Sequence, residues 1–506
     1  MPRFKQMPQD PGQIWLMPPS LDEMVSEDDE VRALSDVMDE LRWSILENTY
    51  NERGTPAYPP KVMAKILVFA YSKGIRSSRK IEELLRSDVR YMWLAGCLKP
   101  DFHTIARFRK DKFDSLSMLF ADSVRLCKSL GLLNLNIVAF DGTKVGASAS
   151  RRSLYDQKRL DKELEAAKEI LREADDVDDR EDAELEGRNG REIPERLRDA
   201  KKRKRIIEEL KKKLDESSSK LISSSDTDCR LMKTRDGFRP AFNLQAAVDS
   251  ENQVVLGMKV TQSENDHGQL PGMLAEVKKN CGMSAVVALA DTGYCDEPTM
   301  MAAEAMGQEA LISLGKQSVA TKDNNLFASR CFLADVERDV LICPAGRELC
   351  FSVECQCGSG RYRVYRAHGC GTCSFQSQCV KSGHGSRRVS ISCNERVRHR
   401  MREKMTRPGC KALYGLRSQI IEPVFGQTKH DRGFRKFLLR GLNGATAEMS
   451  LMFLVHNLLK CLKKADFLAS TDGTSNAREF THWVCRLLGR FWGITSGWRP
   501  EARAAA

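Results

Sequence analysis

Residues 133–147 read LNLNIVAFDGTKVGA, and the fold turns on them. The run is apolar, β-branched and short, which predicts a buried strand carrying Asp141. Residues 284–294, SAVVALADTGY, repeat the pattern and end by presenting Asp291. Between them, residues 238–262 are patterned as strands, with Ser250-Glu251-Asn252 as a hairpin turn. Residues 266–282 predict a helix, residues 297–307 another, and residues 309–315 a further short strand. Such an alternation describes a mixed α/β sheet.

Outward from this centre the composition changes. Residues 1–20 are rich in Pro, Met and Gln and read as an extended arm. Residues 21–131 are helical in pattern. Val31, Leu34, Val37, Met38, Leu41 and Ile45 recur near a 3.6-residue period. Pro59-Pro60 opens the next helix and Gly74 stands where its C′ residue belongs. Short helices with tight connections predict a helix-turn-helix-like bundle. Residues 151–222 are charged and helix-forming, with a polar break near Gly187–Gly190, and read as an inserted helical hairpin. Residues 335–400 form a Cys-rich insertion, and residues 395–464 are mostly helical. The tail, 466–506, has no assigned role. These boundaries make 132–465 the α/β domain.

The formal net charge is +12, with 81 Lys+Arg against 69 Asp+Glu, which favours a polyanionic partner. No stretch approaches the roughly 18–20 apolar residues of a membrane span, and no apolar run follows the basic residues at the start. A cytoplasmic protein with no membrane partner is expected. The 17 cysteines are then not a disulfide framework.

Carboxylates at strand ends can converge at one sheet edge, as metal-dependent phosphoryl transfer requires. Asp141 and Asp291 qualify, and Glu422, in RSQIIEPVFGQTKHDRGFRKF, is the third candidate. Pro423 suits the first turn of a helix or a kink. If that helix runs on, Lys429 lies seven residues later on Glu422's face. On local sequence alone each Asp is more often a turn or cap residue, and Asp249 and Asp266 compete on equal terms.

An ordered series of segments resembles the DDE transposases of bacterial insertion sequences, in the longer branch with a Cys-containing insertion. The segments are AFDGTKV around Asp141, LMKTRDGFRPAFNLQAAVD, VTQSENDHGQL, ALADTGYCD around Asp291, ALYGLRSQIIEPVFGQTKHDRGFRKFLLRGL and SLMFLVHNLLK. The N-terminal YPPKVMAKILVFAYSKGIRSSRKIEELLRSDVRYMWLAG is similar to that family's helical DNA-binding region. The resemblance implies an RNase H-like catalytic core and Mg²⁺ or Mn²⁺ held by Asp141, Asp291 and Glu422. It implies cleavage of element ends and their joining to target DNA. Double-stranded DNA is then the partner, and a homodimer on DNA brings two ends together. Tyr414, Arg417, Glu422 and Lys429 match the family's Tyr, Arg, Glu, Lys signature, although four residues separate Arg417 from Glu422, one more than in that signature. Tyr414, Arg417 and Lys429 would then meet DNA. The rival readings are a non-catalytic DNA-binding protein derived from a transposase and a nuclease without strand transfer.

Two basic stretches are candidate DNA contacts. In residues 102–110, FHTIARFRK, helical spacing puts Arg107, Lys110 and His103 on one face, with Phe108 and Phe113 as core in the alternative reading. After Glu422 come Lys429, Arg432, Arg435 and Lys436. The run 201–205, KKRKR, reads as a solvated helix face. Eight cysteines fall between Cys343 and Cys393, with one CxxC at Cys370–Cys373. That spacing suggests structural zinc, and the resemblance selects Cys343, Cys370, Cys373 and Cys379, with His368 and His384 as spares. A set of small buried thiols is the alternative.

Overall fold

The structure is a computed structural model that describes residues 20–50, 56–184, 195–217, 219–315, 322–323, 326–335, 338–357, 360–380, 385–392 and 395–471. The N-terminal arm up to residue 19, the break at 187–190, His384, Cys393 and the tail beyond 471 lie outside them.

The N-terminal segment folds into helices α1 (Glu30–Asp39), α2 (Pro60–Ser72), α3 (Ser78–Ser87), α4 (Val89–Ala95), α5 (Phe102–Asp111) and α6 (Phe113–Ser129). Pro60 occupies the first turn of α2, where its missing N–H is not needed. Gly74 follows α2 with φ +72°, packed on the Arg432 carbonyl, a conformation that suits glycine. Asp29, Ser77, Asp88 and Asp101 cap four of these helices through their side chains.

Strand β1 (Ile137–Gly146) is the centre of a six-stranded sheet. Helices α7 (Gln157–Glu184) and α8 (Glu195–Glu216) follow, then β2 (Arg230–Thr234), β3 (Gly237–Asp249) and β4 (Val255–Thr261). One edge of β3 pairs antiparallel with β1, and its other edge pairs with β2 and then β4. Helix α9 (Leu270–Cys281) leads to β5 (Val287–Ala290), and α10 (Glu297–Ala305) to β6 (Glu309–Ile312). Both strands run parallel to β1, in the order β1-β5-β6. Parallel pairing needs a crossover, and α9 and α10 supply the two crossovers.

The charged hairpin α7–α8 is held by a small core of its own, Leu160 and Leu164 against Ile207, Leu210 and Leu214. The Cys-rich insertion carries a separate five-stranded antiparallel sheet, with Leu341, Leu349, Tyr365 and Val389 buried. Helices α11 (Glu395–Thr406), α12 (Pro408–Gly415), α13 (Arg417–Gly426) and α14 (Gly441–Thr471) complete the chain. Helix α14 is buried around its whole circumference from Met449 to Val455, and packs on α6, α2 and β4. Its Asn457 accepts from the Val255 amide and donates to the Val255 carbonyl, so a helix residue satisfies strand β4. One continuous apolar core therefore runs from the N-terminal helices into the sheet.

Candidate active site

Register places the first two acids. The paired residues of β1 and β5 end at Phe140 and Ala290, so Asp141 and Asp291 are the next residues on adjacent parallel strands. Each carboxylate accepts a backbone N–H just beyond it, Gly142 for Asp141 and Gly293 for Asp291, both at 2.8 Å. The Arg417 guanidinium, at the start of α13, lies 3.0 Å from Asp141 Oδ2. Burial pushes the Asp141 carboxyl up to about 6; Arg417 opposes that shift and Asp291 adds to it. Burial also raises Asp291, against the pull of the Gly293 N–H and Arg417. Lys144 lies within electrostatic reach of both acids as well, yet burial still holds both carboxyls up, so the site favours added positive charge.

A third acid stands beside them. Asp266 Oδ1 accepts from Asn243 Nδ2 at 2.7 Å and from Gln245 Nε2 at 2.6 Å, both on β3. Lys144 Nζ is 3.8 Å from the same oxygen. A Cβ on Gly142 would lie inside van der Waals contact of that carboxylate, and one on Gly293 would be 2.7 Å from Asp266 Oδ2 and 3.0 Å from Asp291 Oδ1. The glycines make room for the acids. Gly142→Ala should therefore displace Asp266 from its two amides and destabilise the fold by about 1–3 kcal/mol; a urea melt superimposing on wild type would refute this packing. Asp249, the other competing acid of the sequence, is committed elsewhere: it accepts the Glu251, Asn252 and Val254 amides and closes the β3–β4 turn. The local sequence did not separate these two, because only tertiary packing brings Asp266 back to β1.

Glu422 is not gathered into this group. It is exposed on α13, with no hydrogen bond or ion pair among the described residues. Arg417 and Glu422 are five positions apart, which on a helix of 3.6 residues per turn sets them on different faces. The α-helix does not run on to Lys429, because Gln427–Asp431 winds as a π-helix. Lys429 Nζ instead donates to Thr143 Oγ1 at 2.6 Å and to the Lys144 carbonyl at 3.0 Å. Burial draws its ammonium down to about 8. Tyr414 is half-buried, within electrostatic reach of Arg417. Among the described residues, no three His, Cys, Asp or Glu side chains already stand in a metal-holding arrangement.

Residues 342–462 match the transposase DDE domain, and residues 19–111 match a transposase domain (DUF772). Both matches are to transposase families, and they support an insertion-sequence DDE transposase. The first match contains Glu422 and the basic loop after it, and the second contains α1–α5; Asp141 and Asp291 lie between the two. No curated protein and no solved structure matches the chain. No helix among the described residues is long and apolar enough to cross a membrane.

The basic surfaces divide by burial. On α5, Arg107, Lys110 and His103 are exposed while Ile105, Phe108 and Arg109 are buried, and Phe113 just beyond is half-buried against the core, so the helix turns its apolar face inward and these three bases to solvent. Arg109 is a structural cation, donating to Tyr71 Oη and the Arg76 carbonyl. In the loop after α13, Arg435 and Lys436 are exposed and alternate with buried Phe434 and Phe437. That loop is fixed to the end of β1: the Gly146 amide donates to the Arg435 carbonyl and the Phe437 amide to the Gly146 carbonyl. Arg432 is half-buried beneath it.

In the Cys-rich insertion, Cys343, Cys370, Cys373 and Cys379 line one pocket, with His368. Burial raises the Cys379 thiol; Arg387 opposes the shift, and the other three thiols add to it. Cys350 and Cys355 are exposed on the sheet.

Proposed function

We propose that this protein is an insertion-sequence DDE transposase that cuts the ends of its element and joins them to target DNA by divalent-metal-dependent phosphoryl transfer on an RNase H-like core. The observation that carries the reading is the pairing of Asp141 and Asp291 at equivalent positions of neighbouring parallel strands. The order β4-β3-β1-β5-β6, three antiparallel strands then two parallel ones, supports that core.

The carboxylates suit Mg²⁺ or Mn²⁺. They are oxygen donors, burial disfavours their ionised forms, and glycines 142 and 293 leave room beside them for a further carboxylate. Asp141 and Asp291 would hold the ion, with Glu422 as the acid that α13 contributes. When bound, the ion polarises the scissile phosphate and offsets charge at the attacking and leaving oxygens. The chain's own residues do the rest. Arg417 steadies Asp141. Arg435 and Lys436, fixed to the end of β1, hold the DNA backbone near the acids. Lys429 braces β1 through Thr143. The exposed bases of α5 meet DNA at a second place. Two ends must meet, so the working form is a homodimer on DNA in the cytoplasm, at the nucleoid.

The test is incubation of purified protein with linear DNA bearing the element's ends, with Mg²⁺ or with EDTA. Mg²⁺-dependent cuts at the ends followed by joined products are expected. Cuts without joining would leave a nuclease, and binding without cuts a DNA-binding protein. Arg107→Ala with Lys110→Ala should weaken DNA binding uniformly across sequences and flatten the salt dependence by about one unit per residue; an unchanged slope would remove α5 from the interface.

The pocket of Cys343, Cys370, Cys373 and Cys379 is proposed to hold a structural Zn²⁺, apart from the chemistry. Protein purified without chelator should contain one zinc per chain, and Cys373→Ser should lose it and lower the melting temperature. Metal analysis showing no zinc in wild type would favour the buried-thiol reading.

A further inference from the structure

Asp266 does not behave as a loop residue. Asp141, Asp249, Asp291 and Asp296 each accept a backbone N–H close to them in sequence. The Asp266 carboxylate accepts no backbone N–H among the described residues, and its partners are two side-chain amides from a different element. Those amides are placed by register. Gln245 lies opposite Gly142, and Asn243 opposite Lys144, so they project from β3 beside the acid-bearing end of β1. Gln245 is itself fixed, since its carbonyl accepts from the Tyr294 hydroxyl. Asp266 is therefore carried onto the site and locked there by Oδ1, while Oδ2 faces Asp291 Oδ1 across Gly293.

This is the wrong arrangement for two bare carboxylates. Like charges set face to face repel unless something cationic joins them. Lys144 lies 3.8 Å from Oδ1, on the clamped side, and reaches Asp291 and Asp141 electrostatically, so one ammonium is spread over three acids and does not bridge Oδ2 to Asp291 by an ion pair among the described residues. A carboxylate with one oxygen held by hydrogen bonds and the other turned to a second carboxylate is the pattern of an oriented metal ligand. A further polar atom is unsatisfied there. Asn243, whose amide points at Asp266, is fully buried, and its Oδ1 has no hydrogen-bond donor among the described residues. The glycine cradle adds an independent constraint: a side chain at 142 or at 293 would expel this carboxylate.

We propose that Asp266 ligates, together with Asp291, a divalent cation of the cleavage centre. This rests on the metal-dependent reading above and extends it to an acid outside the Asp141, Asp291, Glu422 trio. Asn243 and Gln245 serve as positioning residues that fix the angle of the ligand, and the ligand oxygen is Oδ2.

The test measures Mn²⁺ binding to the full chain by electron paramagnetic resonance, with and without end DNA, in parallel with cleavage. Asp266→Asn should weaken Mn²⁺ binding at least tenfold while its circular dichroism melt stays that of wild type. Asp266→Cys should bind Cd²⁺ more tightly than wild type and cut with Mn²⁺ or Cd²⁺ better than with Mg²⁺, because a thiolate prefers softer ions. Should Asp266→Asn fold poorly, this change of metal preference decides the matter alone. Wild-type Mn²⁺ affinity in Asp266→Asn, or an unaltered metal preference in Asp266→Cys, would overturn the proposal while the metal-dependent function stood. A wild-type chain that binds no Mn²⁺ even on DNA would overturn both.

Discussion

Asp141→Asn and Asp291→Asn should each lower end cleavage at least a thousandfold, about 4 kcal/mol in the barrier, with DNA binding kept. Asparagine preserves shape and retains an oxygen to accept the Gly142 or Gly293 amide, so the local turn survives. What it removes is the charge. In the first variant Arg417 then faces a neutral side-chain amide, and DNA affinity should hold or rise because a negative group is gone. The double variant should be no slower than either single one, since residues that act as a unit are not additive. Single-turnover cleavage with Mg²⁺, alongside a gel-shift titration, reads both quantities. Wild-type cleavage rates in both variants would reduce the two acids to caps of a strand end.

Glu448→Ala should destabilise the chain by about 3–5 kcal/mol, because it removes the acid of a largely buried ion pair. Glu448 is fully buried in α14, and its carboxylate accepts the Leu438 and Leu439 amides at 2.7 and 3.1 Å. Arg76, from the turn after α2, lies 3.3 Å from it and also donates to the Lys436 and Gly433 carbonyls. One acid thus fastens the N-terminal helices to the basic loop beside β1. Its loss leaves two amides without their acceptor and Arg76 without its counter-charge, held by two carbonyls alone; Arg435 and Lys436 should loosen, so DNA binding should weaken as well. Glu448→Gln keeps an acceptor oxygen and should lose less. Urea melts of the two variants and of Arg76→Ala, combined as a double-mutant cycle, give the coupling directly. A loss below about 1 kcal/mol for Glu448→Ala would show that water reaches the site and that the clasp is not buried in solution.

The sequence alone determined the elements and the two strand-borne acids. Apolar, β-branched runs ending in Asp141 and Asp291 have few conformations open to them in water, and the change from helical to strand period is local information. The charged hairpin and the helix opened by Pro60 were legible for the same reason: caps, breaks and periodicity act over a few residues. The basic stretch 102–110 was legible as a helix, but whether a base faces water or the core depends on what packs against it. Arg109 went inside, to Tyr71 and Arg76, while Arg107 and Lys110 stayed out.

Only the tertiary structure decided the rest. Asp249 and Asp266 were equivalent in sequence; the path of the chain turned one into the lock of a hairpin and set the other against Gly142 and Gly293. Spacing placed Lys429 only relative to Glu422; the fold sent its ammonium to Thr143 and the Lys144 carbonyl on β1. Glu448 gave no signal at all, since one partner is a helix-end arginine hundreds of residues away and the others are backbone amides of a loop. Short-range preferences are set residue by residue, whereas the placing of a charge depends on which distant groups share its low-dielectric surroundings, and only the folded chain brings those groups together.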